Sequence, residues 1–398
     1  MLDLVKLSQQ MPDISQHLAQ EAQAVQRRIA VAQTLLAAAV NRQVELVDQM
    51  HSHGDRLAFT VPQPWQSLTS RTTVSAASPV HTVIATDGSQ IAPSHHEIAY
   101  CYLINVGRVV LPYGQNRAPL LDSLPEVVFR SEDLMISRPW GIPTEAWMGY
   151  RRTVAEALAL ADLGAAVSQL TTPEGSSPQI LALVDGSLIY WFLESLPDPA
   201  RELILSPILA AWHQLRQQGI PLVGYLSASR SAETMNFLRL AACPFATPDC
   251  QQHCGGSTER APCGRFLPLR DATFWATQLT PGQCSPFWRS GATILERYGD
   301  QAIYFCYLHA GVEVARVEMP EWVVADNDRC QQVLAMVLAQ VQKGYGYPVS
   351  LAEAHNQAVV RGADRARFFL LLEQEMIRAG LTNIGASYKE TRKRGSIA

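Results

Sequence analysis

Charge is what this sequence is short of. Only 17% of its 398 residues are Asp, Glu, Lys or Arg, against about 25% in an ordinary soluble protein. Its surface must then be largely neutral polar or covered by a partner. The net charge is −4, which excludes a globally basic nucleic-acid binder but leaves room for a local basic groove. Long apolar runs are missing too. No stretch approaches the ~18 uninterrupted apolar residues of a membrane span, so no membrane association is expected. The N-terminus, Met1-Leu-Asp-Leu-Val-Lys-Leu7, lacks the charged, apolar and cleavage regions of a signal peptide. The expected location is the cytoplasm. There the eight cysteines read as reduced thiols or metal ligands rather than disulfides.

What the chain does have is a hydrophobic content of 47%, enough for a sizeable core, and one organising pattern. The β-branched run His81-Thr-Val-Ile-Ala-Thr ends abruptly in Asp87-Gly88-Ser89. The pattern returns as Ile180-Leu-Ala-Leu-Val followed by Asp185-Gly186-Ser187. Each reads as a buried strand delivering a carboxylate at its C-terminal end.

Around these strands the hydrophobic periodicity sets an order. Residues 12–50 step apolar positions by three and four, from Ile14 and Leu18 through Ile29, Ala32 and Leu36 to Val44 and Val47. This predicts one long helical arm packed on the core or on a second copy. Residues 51–80 read as an irregular connection. Ile98–Val106 and Arg108–Pro112 read as two strands turning at Asn105-Val-Gly107, which with the first Asp-Gly-Ser strand makes a three-strand meander. Residues 113–143 read as loop with short pieces. Thr144–Leu170 is a helix with Thr144 at its N-cap. Ser176–Pro178 leads into the second Asp-Gly-Ser strand. Pro199–Gln218 is a helix, Pro221–Leu226 a strand and Ala232–Ala242 a helix. Residues 243–290, rich in Cys, Pro and Gly, read as an insertion. A hairpin (302–308 and 312–319) and three helices (330–342, 351–360, 364–379) close the chain before a basic tail. Three strands, helix, strand, helix, strand, helix is the order of the ribonuclease H-like fold, an α/β mixed sheet flanked by helices. The expected domains are an N-terminal helical arm (1–55), a core domain (80–362) holding the insertion (243–290), and a C-terminal helix with the tail (363–398).

In that topology the first and fourth strands are neighbours, about 4.8 Å apart. Asp87 and Asp185 would face each other at the end of the sheet where α/β folds bind ligands. Two close carboxylates repel unless a cation separates them, and oxygen donors select Mg²⁺ or Mn²⁺. A third acid is expected from the intervening helix. Glu156 is the best placed, four residues after Arg152, and Glu145 and Asp162 are alternatives. Such a site holds two ions roughly 3.5–4 Å apart for phosphodiester hydrolysis. His355, on an amphipathic helix that Ser350 and Glu353 could cap, is a metal ligand or proton donor if it faces the acids, and otherwise structural. Arg151, Arg152, Arg230, Arg361, Arg365 and Arg367 are candidate phosphate contacts.

Together, Asp87-Gly-Ser, a helical Glu156, Asp185-Gly-Ser and the Tyr347-Pro…Ala354-His355 element resemble the NurA nucleases. The similarity spans about residues 80–362. The resemblance implies Mn²⁺-dependent DNA cleavage, as a 5′→3′ exonuclease and single-strand endonuclease in break-end resection and repair. It also implies a homodimer and a HerA-type hexameric ATPase partner. By the same resemblance Asp87, Glu156, Asp185 and His355 would be metal-site residues, with Tyr347 beside them.

One cluster departs from that pattern. Cys243, Cys250, Cys254 and Cys263 lie within a short loop-like stretch that also holds His253. Four soft ligands without a core of their own suggest a closed structural Zn²⁺ site, with an iron–sulfur cluster or unliganded thiols as competitors. Two other functions fit the sequence: a catalytically weak adaptor that docks a HerA-like ATPase, and a metal phosphohydrolase acting on a small substrate.

Overall fold

The structure is a computed structural model that describes residues 3–94, 97–169, 179–256 and 261–381. In chain order its principal elements are helices α1 (Met11–Val40) and α2 (Gln43–His53), then strands β1 (His81–Ile91), β2 (Tyr102–Tyr113) and β3 (Leu120–Val128). Helix α3 (Thr144–Ser168), strand β4 (Gln179–Asp185), helix α4 (Asp198–Gln217), strand β5 (Leu222–Leu226) and helix α5 (Glu233–Ala241) follow. Strands β6 (Ile303–His309) and β7 (Val314–Pro320) precede helices α6 (Asn327–Lys343), α7 (Val349–Ala358) and α8 (Gly362–Arg378). The chain divides into two compact units. One joins residues 1–74 to 225–324, and the other joins 75–224 to 325–398. Residues 80–362 therefore fall in both.

The unit of residues 75–224 and 325–398 carries both Asp-Gly-Ser strands. Its sheet runs β3-β2-β1-β4-β5. β1 pairs antiparallel with β2 from His81↔Tyr113 to Ile91↔Leu103, and β2 with β3 from Tyr102↔Val128 to Val110↔Leu120. β1 pairs parallel with β4 from His81↔Gln179 to Thr86↔Val184. This is the expected ribonuclease H-like mixed sheet. The side-chain alternation of a strand explains how both faces are covered. Tyr102, Ile104 and Val106 pack with Met148 and Ala159 of α3, while Leu103 and Ile91 pack on Phe369 of α8. Each buried Val, Leu, Ile, Met or Phe among them contributes roughly 1.5–3 kcal/mol relative to exposure.

The meander is drawn differently from the expectation. β2 runs unbroken through Asn105-Val-Gly107, and the third strand is Leu120–Val128, inside the stretch read as loop. Gly107 is not a turn glycine. A Cβ there would lie 2.3 Å from Ala354 O and 2.5 Å from Ala358 N, so its bare backbone lets α7 sit directly on the strand. Two caps also differ. Pro143 precedes α3, and the Thr144 hydroxyl bonds Leu134 O instead. Pro348 precedes α7, whose end has no side-chain cap, because Ser350 is buried inside the first turn with its backbone N–H on Gln340 Oε1, 3.2 Å away. The segment 176–178 and the basic tail lie outside the described residues.

In the unit of residues 1–74 and 225–324, the predicted arm is two helices that break at Asn41-Arg42. The break shifts the apolar phase. Ile29, Ala32, Leu36 and Ala39 are buried, but after it Leu46 takes the inward position and Val44 is 77% exposed. These residues join Phe237, Phe266, Phe274, Trp275 and Trp288 in one core. β6 and β7 form the expected hairpin, Ile303↔Pro320 to His309↔Val314. The stretch 243–290 contributes short helices and two-residue strands to this core. At its centre Arg316 donates to Glu233 and Glu318, each at 2.7 Å. Such burial is tolerated only because every charge is paired.

Candidate active site

The acids are positioned by elements of a single unit. β4 ends at Asp185, but β1 runs on through Asp87 to Ile91, so Asp87 lies within its strand and not at the strand end expected from the sequence; the parallel register Thr86↔Val184 still sets Asp87 beside Asp185. Glu156 comes from the middle of α3, which the Thr86 hydroxyl ties to the sheet by donating to Glu156 O at 3.0 Å. The fit is tight: a Cβ on Gly88 would lie 2.3 Å from Glu156 Oε1 and 2.6 Å from Arg152 Cγ. His355 reaches Asp87 from α7, with Nδ1 2.8 Å from Oδ2. The Tyr347 hydroxyl hydrogen-bonds to Asp185. Of the residues singled out in the sequence, Asp87, Glu156, Asp185, His355 and Tyr347 are thus brought together.

The electrostatics show how close they are. Burial pushes the Glu156 carboxyl up to about 7. Arg152 works against this, and the negative Asp87 and Asp185 reinforce it. Asp185 is also raised, first by the protein packed around it and then by Asp87, while Tyr347 and His355 pull it down. Arg152 Nε stands 3.2 Å from Glu156 Oε1. It is not aligned as a hydrogen bond, so the pair is Coulombic rather than a directed donor contact.

Sequence reasoning missed what holds α7. Asn105 Nδ2 donates to Ala358 O at 2.8 Å, and the Ser89 hydroxyl donates to the same carbonyl. A polar Asn within an apolar strand was the available signal, but it was read as a turn residue. Gly186 has φ +119°, a left-handed-side conformation that suits glycine, and it turns the chain sharply after Asp185.

The remaining candidates are scattered. Arg152 is occupied by Glu156. Arg151 and Arg361 are exposed in this unit, and Arg230 is exposed in the other. Arg365 pairs with Glu97 at 3.1 Å. Glu145 and Asp162 are exposed on α3.

Three carboxylates and an imidazole form the hard oxygen and nitrogen donor set of Mg²⁺ or Mn²⁺. Among the described residues, no three His, Cys, Asp or Glu side chains already surround one point at coordinating distance. The donors fit an ion by chemistry and proximity, and side-chain rotation would complete the arrangement.

A ribonuclease H-like sheet whose two central strands each carry an acid into one cluster is the architecture of a nuclease. The NurA domain pattern matches residues 81–360, and the chain belongs to the NurA family. It is similar to the NurA nuclease from Sulfolobus solfataricus, at 13% identity over 85% of this chain and 96% of that one, with a TM-score of 0.48. A NurA structure with manganese is 10% identical over 92% and 98% of the two chains, at 0.38. The catalytic domain of human endonuclease V is 11% identical over 85% and 98%, at 0.32. No curated protein matches the sequence.

Proposed function

We propose that the protein is a metal-dependent DNA nuclease whose active site is Asp87, Glu156, Asp185 and His355, with Tyr347 positioning Asp185. The observation that carries this reading is geometric: Asp87 and Asp185 stand side by side on β1 and β4, Glu156 lies against Gly88, and His355 Nδ1 is 2.8 Å from Asp87 Oδ2. Asp87, Glu156, Asp185 and His355 would hold two Mn²⁺ or Mg²⁺ ions. Bound there, such ions activate water and stabilise the leaving oxygen of a phosphodiester.

The chain's own residues do the rest. Tyr347 fixes the Asp185 carboxylate through its hydroxyl. Gly88 leaves Glu156 room beside β1. His355 is 64% exposed, and its Nδ1 is held by Asp87, which orients the ring and leaves Nε2 as its donor to an ion. Arg151 and Arg361, exposed in the unit that holds the acids, offer positive charge to phosphates.

On the strength of the family match we extend the proposal to 5′→3′ exonuclease and single-strand endonuclease action in end resection, by a cytoplasmic homodimer with a HerA-type ATPase. Exposed Leu4, Val5, Ile14 and Leu18 offer apolar surface for assembly. No helix among the described residues is long and apolar enough to cross a membrane.

The test is cleavage of end-labelled single- and double-stranded DNA with Mn²⁺, Mg²⁺ or chelator. Asp87→Ala and Asp185→Ala should each lose activity by about 100-fold or more, since disturbing even an outer partner of a metal ligand costs 10–100-fold. Full cleavage by both variants would overturn the assignment. ATPase binding without cleavage by the wild type would favour the adaptor reading.

A further inference from the structure

The cysteine-rich stretch lies apart from the acids in sequence and chemistry, and it is independent of the nuclease reading. Cys243 follows the end of α5. Cys250 and Cys254 open and close a one-turn helix capped by Asp249 and Gly255, and their i, i+4 spacing puts both thiols on one face. Cys263 sits in the turn Pro262–Gly264. These three separate pieces of backbone bring all four cysteines to the wall of one small cavity, which Leu57 and Phe59 also line. No disulfide joins any of the four.

The cavity is small. Its volume of about 10 Å³ is the space of roughly one water-sized sphere. That space suits a single ion; an iron–sulfur cluster, the competitor for four thiolates, is separated from it by the metal analysis below. His253 is not part of the wall. Its ring stacks on Phe245 with centroids 4.1 Å apart. The donor set is therefore four thiolates, and a closed tetrahedral set of soft sulfurs selects Zn²⁺.

We propose that Cys243, Cys250, Cys254 and Cys263 bind one structural Zn²⁺ that ties the end of α5 to the stretch 250–263. The thiols line the cavity but are not at coordinating distance of a common point. Binding therefore includes a small inward rotation of the side chains and release of their protons. A closed Cys₄ site leaves no open position for water, so the ion holds the fold rather than serving in hydrolysis.

Elemental analysis of the purified full chain tests this without any activity measurement. The expected result is about one zinc per chain and no stoichiometric iron. Cys250→Ser/Cys254→Ser should fall below about a tenth of that content, and His253→Ala should keep it. Stripping wild-type protein with a chelator under reducing conditions should lower its Tm, and added Zn²⁺ should restore both occupancy and Tm. That arm answers the question even if the double variant folds poorly. Four results would each overturn the proposal: no zinc before or after reconstitution; iron with visible charge-transfer absorption; unchanged zinc in the double variant; or loss of zinc in His253→Ala.

Discussion

A methyl group on Gly88 and one on Gly107 would meet very different neighbours. At Gly88 the obstacles are Glu156 Oε1 at 2.3 Å and Arg152 Cγ at 2.6 Å, both in long, rotatable side chains. At Gly107 they are the Ala354 O and Ala358 N backbone atoms, which move only with the whole helix. Gly88→Ala should thus fold with little loss of stability but push Glu156 out of place, lowering metal-dependent cleavage by roughly 10–100-fold. Gly107→Ala should instead cost about 1–3 kcal/mol of stability from overpacking. Urea unfolding and a cleavage assay on both variants separate the two effects. Equal stability losses would contradict the distinction. Neither role was legible in sequence: Asp-Gly-Ser advertises a turn or a tight approach, and it took the third acid's position to show which.

At the scale of elements, two helices are held by residues outside themselves. α7 is pinned at its C-terminal end because Ser89 and Asn105 both donate to Ala358 O. α5 has Ala232 at its N-cap, without a side-chain cap. Asp271 supplies the missing acceptors, taking the Thr234 N–H at 2.9 Å, the Met235 N–H at 3.0 Å and the Tyr307 hydroxyl at 2.8 Å. Asp271→Asn replaces one acceptor oxygen by a donor in a fully buried site. It should cost about 1–3 kcal/mol, read from the denaturant midpoint; a change below a few tenths would refute the capping role. The same interactions explain why element ends were the least legible part of the chain. Apolar periodicity locates a helix, but a cap that comes from tens of residues away leaves no local signature.

For the whole molecule, the buried acids link stability to pH. Glu156 rises from its ordinary 4.5 to about 7, and Asp271 rises from 3.8 to about 6. In both cases burial is the largest cause. A folded-state value above the unfolded one means that the folded chain holds more protons in between. Both contributions are therefore present below pH ~4 and are lost as pH rises through 6 and 7. In chelator, wild type should lose stability relative to Glu156→Gln between about pH 4.5 and 7, and Mn²⁺ should reverse the loss by replacing the proton as the neutralising cation. Thermal melts across that range provide the check, and a widening advantage for wild type as pH rises would exclude it.

The sequence by itself determined the alternation of strands and helices, the two strands that each carry an aspartate and the cluster of four cysteines. All of these are written in neighbouring residues, through periods of two and 3.6 and through motif spacing. The tertiary structure decided where β2 ends, where the N-terminal helix breaks and how the chain divides into units, because each depends on what packs against it. It also brought His355 to Asp87 across 268 residues, a contact that no local pattern encodes. Apolar burial on both faces of the sheet holds α3 and α7 against β1, and that packing turns acids and a histidine dispersed along the chain into one site.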